Sequence, residues 1–155
     1  MSSSRLHIVL VAPEIPPNTG TTARLCAATN TPLHLVGPLG FSLEDRYLRR
    51  AGLDYWPHVE LYTYPDWERF LADHPGARLR FFSARATSSY TSIRYERDDY
   101  LVFGGETRGL PADILERYAQ HTYTIPMRGS HVRSLNLANA AAIVLYEALR
   151  QLGRT

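Results

Sequence analysis

Short runs of aliphatic and β-branched residues alternate along this chain with stretches of helical pattern, and no other feature restricts the fold as much. Residues 6–12 (LHIVLVA), 33–37 (LHLVG), 59–62, 79–84 (LRFFSA), 100–104 (YLVFG) and 122–126 read as strands. Residues 18–30, 43–50, 65–72, 111–118 and 137–152 read as helices. Asn18 or Thr19 stands where the first helix needs a cap, and a Pro–Asp pair opens the third. This alternation predicts an α/β fold with a mostly parallel sheet flanked by helices. The 155 residues suit one domain, spanning 1–155, and no linker composition divides them.

The charge balance is only +2, but all seventeen basic residues are arginine and lysine is absent. That excludes a Schiff-base lysine, a pyridoxal anchor and a P-loop lysine. It suits planar, bidentate recognition of phosphate, although compositional bias of a genome produces the same pattern. Cys26 is the single cysteine, which excludes an internal disulfide and points to a reducing compartment. His7, His34, His58, His74, His121 and His131 include no close pair at metal-ligand spacing, so no metal is expected. The start of the chain has no secretory core, and no apolar run reaches membrane-spanning length; the expected location is cytoplasmic, with no membrane partner.

In parallel sheets ligands gather beyond the carboxyl ends of strands. Three unusual loops leave those ends. Residues 13–20 (PEIPPNTG) are stiffened by three prolines and deliver Asn18 at a helix start, with Arg24 six residues on. Asn18 as a cap and Arg24 as a solvated side chain explain that loop as readily as a site does. Residues 104–111 (GGETRGLP) carry three glycines, which let backbone approach a ligand or simply make a tight turn. Their spacing is not the G-x-G-x-x-G of a dinucleotide site, which disfavours a nucleotide-binding oxidoreductase. Residues 126–136 (PMRGSHVRSLN) end in Ser134 and Asn136 before an alanine-rich helix that Ser134 can cap.

Taken together, Asn18 with Arg24, the F-G-x-E-x-x-G-L-P pattern from Phe103 to Pro111 and S-L-N-L-A-N from Ser134 to Asn139 resemble, in order and spacing, the three motifs of the SPOUT family of RNA methyltransferases. The stretch RRAGLDYW, residues 49–56, resembles the small, single-domain branch. Gly105 and Ala138 depart from the commoner Pro or Ser and Ser at those places, and residues 128–131 look like a variable insertion.

The resemblance implies a deep trefoil knot in the C-terminal part of the sheet, which the usual rule against knotted chains does not anticipate. It also implies a homodimer and S-adenosylmethionine (SAM) as methyl donor, released as S-adenosylhomocysteine. The reaction implied is methylation of the ribose 2'-hydroxyl of the wobble nucleotide, C or U, with the tRNA anticodon stem-loop as partner. By the same resemblance Phe82, Gly104, Ile125, Ser134 and Leu135 bind the cofactor, while Arg24, Asn18, Glu106, Ser134 and Asn136 surround the reaction. Phe82 and Ile125 equally fit plain core packing, and Glu106 a structural ion pair. Candidate RNA contacts are Arg46, Arg49, Arg50, Arg108, Arg128 and Arg133. The alternatives are the same chemistry on ribosomal RNA and a non-catalytic RNA-binding module. On the last helix Ile143 and Tyr146 fall outside the apolar face and are expected at a dimer contact.

Overall fold

The computed structural model describes residues 5–44, 46 and 56–154. Six strands form one parallel sheet: β1 (His7–Val11), β2 (Leu33–Val36), β3 (Leu61–Tyr64), β4 (Arg78–Phe82), β5 (Asp99–Phe103) and β6 (Thr122–Tyr123). Their spatial order is β3-β2-β1-β5-β4-β6. Among the described residues four α-helices accompany them in full: α1 (Pro16–Thr29), α2 (Trp67–Asp73), α3 (Ala112–Arg117) and α4 (Leu137–Gln151).

Alternate residues along the central strands point to opposite faces, so both faces must be covered. Ile8, Leu10, Leu33, Leu35, Leu101 and Phe103 pack on one side with Ala23 and Cys26 of α1 and Ala141, Val144, Leu145 and Ala148 of α4. Val9, Val11, Val36, Phe81 and Val102 pack on the other with Trp67 and Phe70 of α2 and Ile114 of α3. Burial pushes the Cys26 thiol well above its ordinary pKa, so the lone cysteine is a packing residue. No helix among the described residues is long and apolar enough to cross a membrane.

Several boundaries differ from expectation. Helix α1 begins at Pro16 with Ile15 at its N-cap and no side-chain cap, so neither Asn18 nor Thr19 caps it. Two prolines in the first turn explain this: their fixed φ starts the helix early, and their missing N–H groups need no partner. At its far end Asn30 turns the chain out in the left-handed conformation, φ 54°. Helix α2 is capped by Asp66, which accepts from the Arg69 N–H. The weak third strand lies two residues later than expected, at Leu61–Tyr64, and β6 ends at Tyr123 rather than 126. The expected helix at 43–50 lies largely outside the described residues, as do Arg49, Arg50 and most of the RRAGLDYW stretch.

The order of strands reverses direction of travel between β1 and β5. The loops leaving the carboxyl ends of those two neighbours therefore lie side by side although they are remote in sequence, on the side of the sheet where open parallel sheets hold ligands.

Candidate functional site

The loops after β1 and β5 are locked together by two carboxylates facing opposite ways. Glu106 accepts from the Glu14 N–H at 2.6 Å, the Ile15 N–H at 2.9 Å and Asn18 Nδ2 at 3.2 Å. Glu14 in return accepts from the Thr107 N–H at 3.0 Å and the Thr107 hydroxyl at 2.5 Å. The Thr107 hydroxyl and N–H hold the Glu14 carboxyl below the ordinary range. Asn18 then passes the connection on: its Oδ1 accepts from Asn136 Nδ2 at 3.0 Å, and Asn136 Oδ1 accepts from the Asn139 N–H at 3.1 Å. Because a carboxylate only accepts, Glu106 fixes the orientation of the Asn18 amide, and that in turn fixes Asn136. Residues from all three unusual loops thus form one directed chain.

Glycine makes the approach possible. A Cβ on Gly104 would stand 2.1 Å from the Gly109 carbonyl carbon and the Leu110 nitrogen. One on Gly105 would stand 2.6 Å from the Ala12 oxygen and from Glu14 Oε1. Gly109 has φ +67° and donates to the Gly105 oxygen at 2.9 Å, closing the turn. The departure at Gly105 therefore leaves room for the Glu14 carboxylate.

Beside this lock lies a cleft of ≈520 Å³ at the carboxyl ends of β4, β5 and β6. That size falls within the roughly 300–1,000 Å³ of ligand sites. Phe82, Gly104, Ile125, Ser134 and Leu135, all five predicted cofactor residues, line it. Phe82 stacks on Phe103 at 5.0 Å and gives the cleft an apolar wall that is also core. Arg85, Arg108 and Arg133 stand in the lining, with Glu106 as the carboxylate. The cleft suits a flat, edge-polar group: an aromatic wall on one side, and on the other backbone amides of the 125–135 segment that bond to no backbone group of the described residues.

Of the predicted reaction residues, Glu106 and Ser134 line the cleft, and Asn18 and Asn136 adjoin it through hydrogen bonds to Glu106 and to each other. Arg24 does not line it and is exposed further along α1. Asn136, not Ser134, caps α4, so the structural role expected of Ser134 falls to its neighbour but one. The alternative for Glu106, holding the loop through an arginine, differs in its partners: among the described residues it holds the loop through amide donors. Glu14 and Thr107 were missed. Glu14 sat in the proline-rich loop, but a partner ninety residues away leaves no mark in local spacing. Among the described residues no group of three or more His, Cys, Asp or Glu is arranged to hold a metal.

Comparison with known proteins matches residues 5–146 to the SpoU rRNA Methylase family. A relative from Synechocystis sp. is 52% identical over 149 residues, covering 95% of this chain and 97% of its own length. A tRNA (cytidine(34)-2'-O)-methyltransferase from Burkholderia ambifaria is 49% identical, covering 95% and 96%. A solved structure described as giving insights into the 2-OH methylation of C/U34 on tRNA superposes with a TM-score of 0.93 at 50% identity, covering 99% of this chain and all of that one. An AdoMet-bound rRNA methyltransferase from Sinorhizobium meliloti superposes with a TM-score of 0.80 at 26% identity, covering 97% of this chain and 58% of that one.

Proposed function

The chain belongs to the SpoU rRNA Methylase family, and from that premise we propose that it methylates the ribose 2'-hydroxyl of the wobble nucleotide, C or U, in a tRNA anticodon, with SAM as donor. The observation that carries the reading is the junction of the aromatic-walled cleft with the Glu106–Asn18–Asn136 chain. SAM, when bound, supplies a methyl already activated by its sulfonium, so the protein's share is positioning and proton management.

Phe82 and Phe103 offer the apolar face for the cofactor's adenine, and the backbone around Gly104, Ile125, Ser134 and Leu135 reads its edges. Glu106 holds two loops in register, which makes it a positioning residue. Ser134 and Asn136 present polar groups at the cleft mouth toward the ribose. Arg24, exposed on α1 and outside the cleft lining, engages RNA rather than cofactor. A guanidinium with a pKa above about 12 is a poor base. Arg24 instead holds phosphate and stabilises charge developing on the 2'-oxygen, while water or another group takes the proton. Arg46, Arg108, Arg128 and Arg133 supply further phosphate contacts. The same reading includes a cytoplasmic enzyme without a metal, a homodimer joined through α4, and the trefoil knot in the C-terminal part of the sheet.

Incubation with methyl-labelled SAM and bulk tRNA, followed by mapping of the modified nucleotide, tests the function. Label on the 2'-oxygen of nucleotide 34 is expected. Label on a base, or on tRNA at another nucleotide, or on added ribosomal RNA and not on tRNA, would replace the substrate assignment.

A further inference from the structure

The segment from Ile125 to Leu135 is held by hydrogen bonds of the residues that flank it. Thr124 donates to the Ser88 oxygen at 2.8 Å and accepts from the Tyr90 N–H at 2.8 Å, while Asn136 is bonded to Asn18. Over residues 125–135 no backbone group bonds to the backbone of another described residue. One side of this strap lines the cleft through Met127, Arg133 and Leu135. Residues 128–136 are all exposed, and Val132, at 60%, is the most exposed large hydrophobic side chain among the described residues.

A lone exposed valine is ordinary. This one stands between Arg128 and Arg133, neither of which forms an ion pair with a described residue. Unneutralised guanidinium groups on both sides of an apolar tip do not suit an apolar protein surface. They suit a polyanion that also offers apolar faces, which is single-stranded RNA: phosphates on the outside, unstacked bases within reach. We propose that Val132 is an RNA-reading side chain. It packs on or between bases of the loop that delivers the ribose to the cleft, while Arg128 holds the adjoining phosphates. Small apolar side chains serve as such wedges between base steps elsewhere. The inference rests on the methyl-transfer reading for the identity of the RNA. It adds a contact to the base faces that the phosphate-binding arginines do not make.

The test uses the full-length protein and an anticodon-loop RNA hairpin carrying 2-aminopurine beside the target nucleotide. Binding of the wild type unstacks the probe and raises its fluorescence. Val132→Ser should weaken hairpin binding about tenfold, as expected from losing the burial of most of one small apolar side chain. It should also abolish the fluorescence rise, with SAM affinity and molecular mass unchanged. Arg128→Gln should keep the rise but lower the slope of log affinity against log salt by about one. A Val132→Ser protein with wild-type affinity and signal overturns the inference, even while wild-type methylation of tRNA stands. Conversion of the Val132→Ser protein to a lower mass in light scattering also overturns it, by giving Val132 to a second copy of the chain. Wild type that neither binds the hairpin nor methylates tRNA overturns both this inference and the function on which it rests.

Discussion

Glu106 and Arg24 show how differently two site residues act. Glu106 receives three donors, so changing one carboxylate oxygen to an amide turns an N–H group against N–H groups. Glu106→Gln should cost about 1–3 kcal/mol, the penalty for unsatisfied partly buried donors. Urea denaturation should show the lowered midpoint, and turnover should fall with it as the Asn18 amide loses its anchor. Arg24 stands outside the cleft lining, exposed on α1. Arg24→Ala should leave SAM affinity in calorimetry within a few-fold, while single-turnover methylation collapses. Arg24→Lys should remain strongly impaired, because a point charge replaces a planar fork. Loss of SAM binding in Arg24→Ala would place the residue in the cleft instead.

Among the elements, the far end of the sheet carries its own polar network. His7 Nδ1 of β1 meets His34 Nε2 of β2 at 2.9 Å, and His34 Nδ1 meets the Tyr64 hydroxyl of β3 at 2.8 Å. That hydroxyl meets His74 Nε2, at the end of α2, at 2.7 Å. Burial lowers His7 to about 4 and His34 to about 3, from an ordinary 6.5. The unfolded chain therefore takes up protons first. The stability contributed by keeping these rings neutral is complete above about pH 6.5 and is lost as pH falls from there toward 4. Urea midpoints measured from pH 8 to pH 5 should decline below 6.5, and His34→Phe should flatten that decline. On α4 the seven buried residues form one face, while Ile143 at 37% and Tyr146 at 48% remain exposed on the other. An apolar second face calls for a second surface. Tyr146→Asp should shift sedimentation toward monomer and reduce methylation, whereas a dimeric, fully active variant would remove Tyr146 from the contact.

For the whole molecule, both cores share one continuous sheet, and the strands at its centre contribute to each. Neither face has a stable existence without the other, so calorimetry should show one cooperative transition for residues 1–155. S-adenosylhomocysteine, binding a cleft built from β4, β5, β6 and the loops beyond them, should raise that transition as a unit. The gain is about 2.7 kcal/mol at a ligand concentration of a hundred times Kd. Two resolved transitions, only one of them moved by ligand, would divide the domain.

The sequence determined what depends on neighbours along the chain. Apolar runs of strand length placed all six strands to within a few residues and gave the parallel α/β class. The long helix at 137–151 was legible because its apolar face repeats at helical period. Each of the three loops alone also fitted caps and tight turns, and it was their motifs standing together in the order and spacing of a known family that marked them as a site. The tertiary structure decided what depends on distance. Two prolines outweighed Asn18 as a helix start, which released its amide to join Glu106 and Asn136, 88 and 118 residues away. Glu14 gained a role for the same reason, and the histidines at 7, 34 and 74 met only because three strands and a helix end lie side by side. Local patterns record backbone preference and burial. Hydrogen bonds between remote side chains depend on the path of the whole chain, and no periodicity encodes that path.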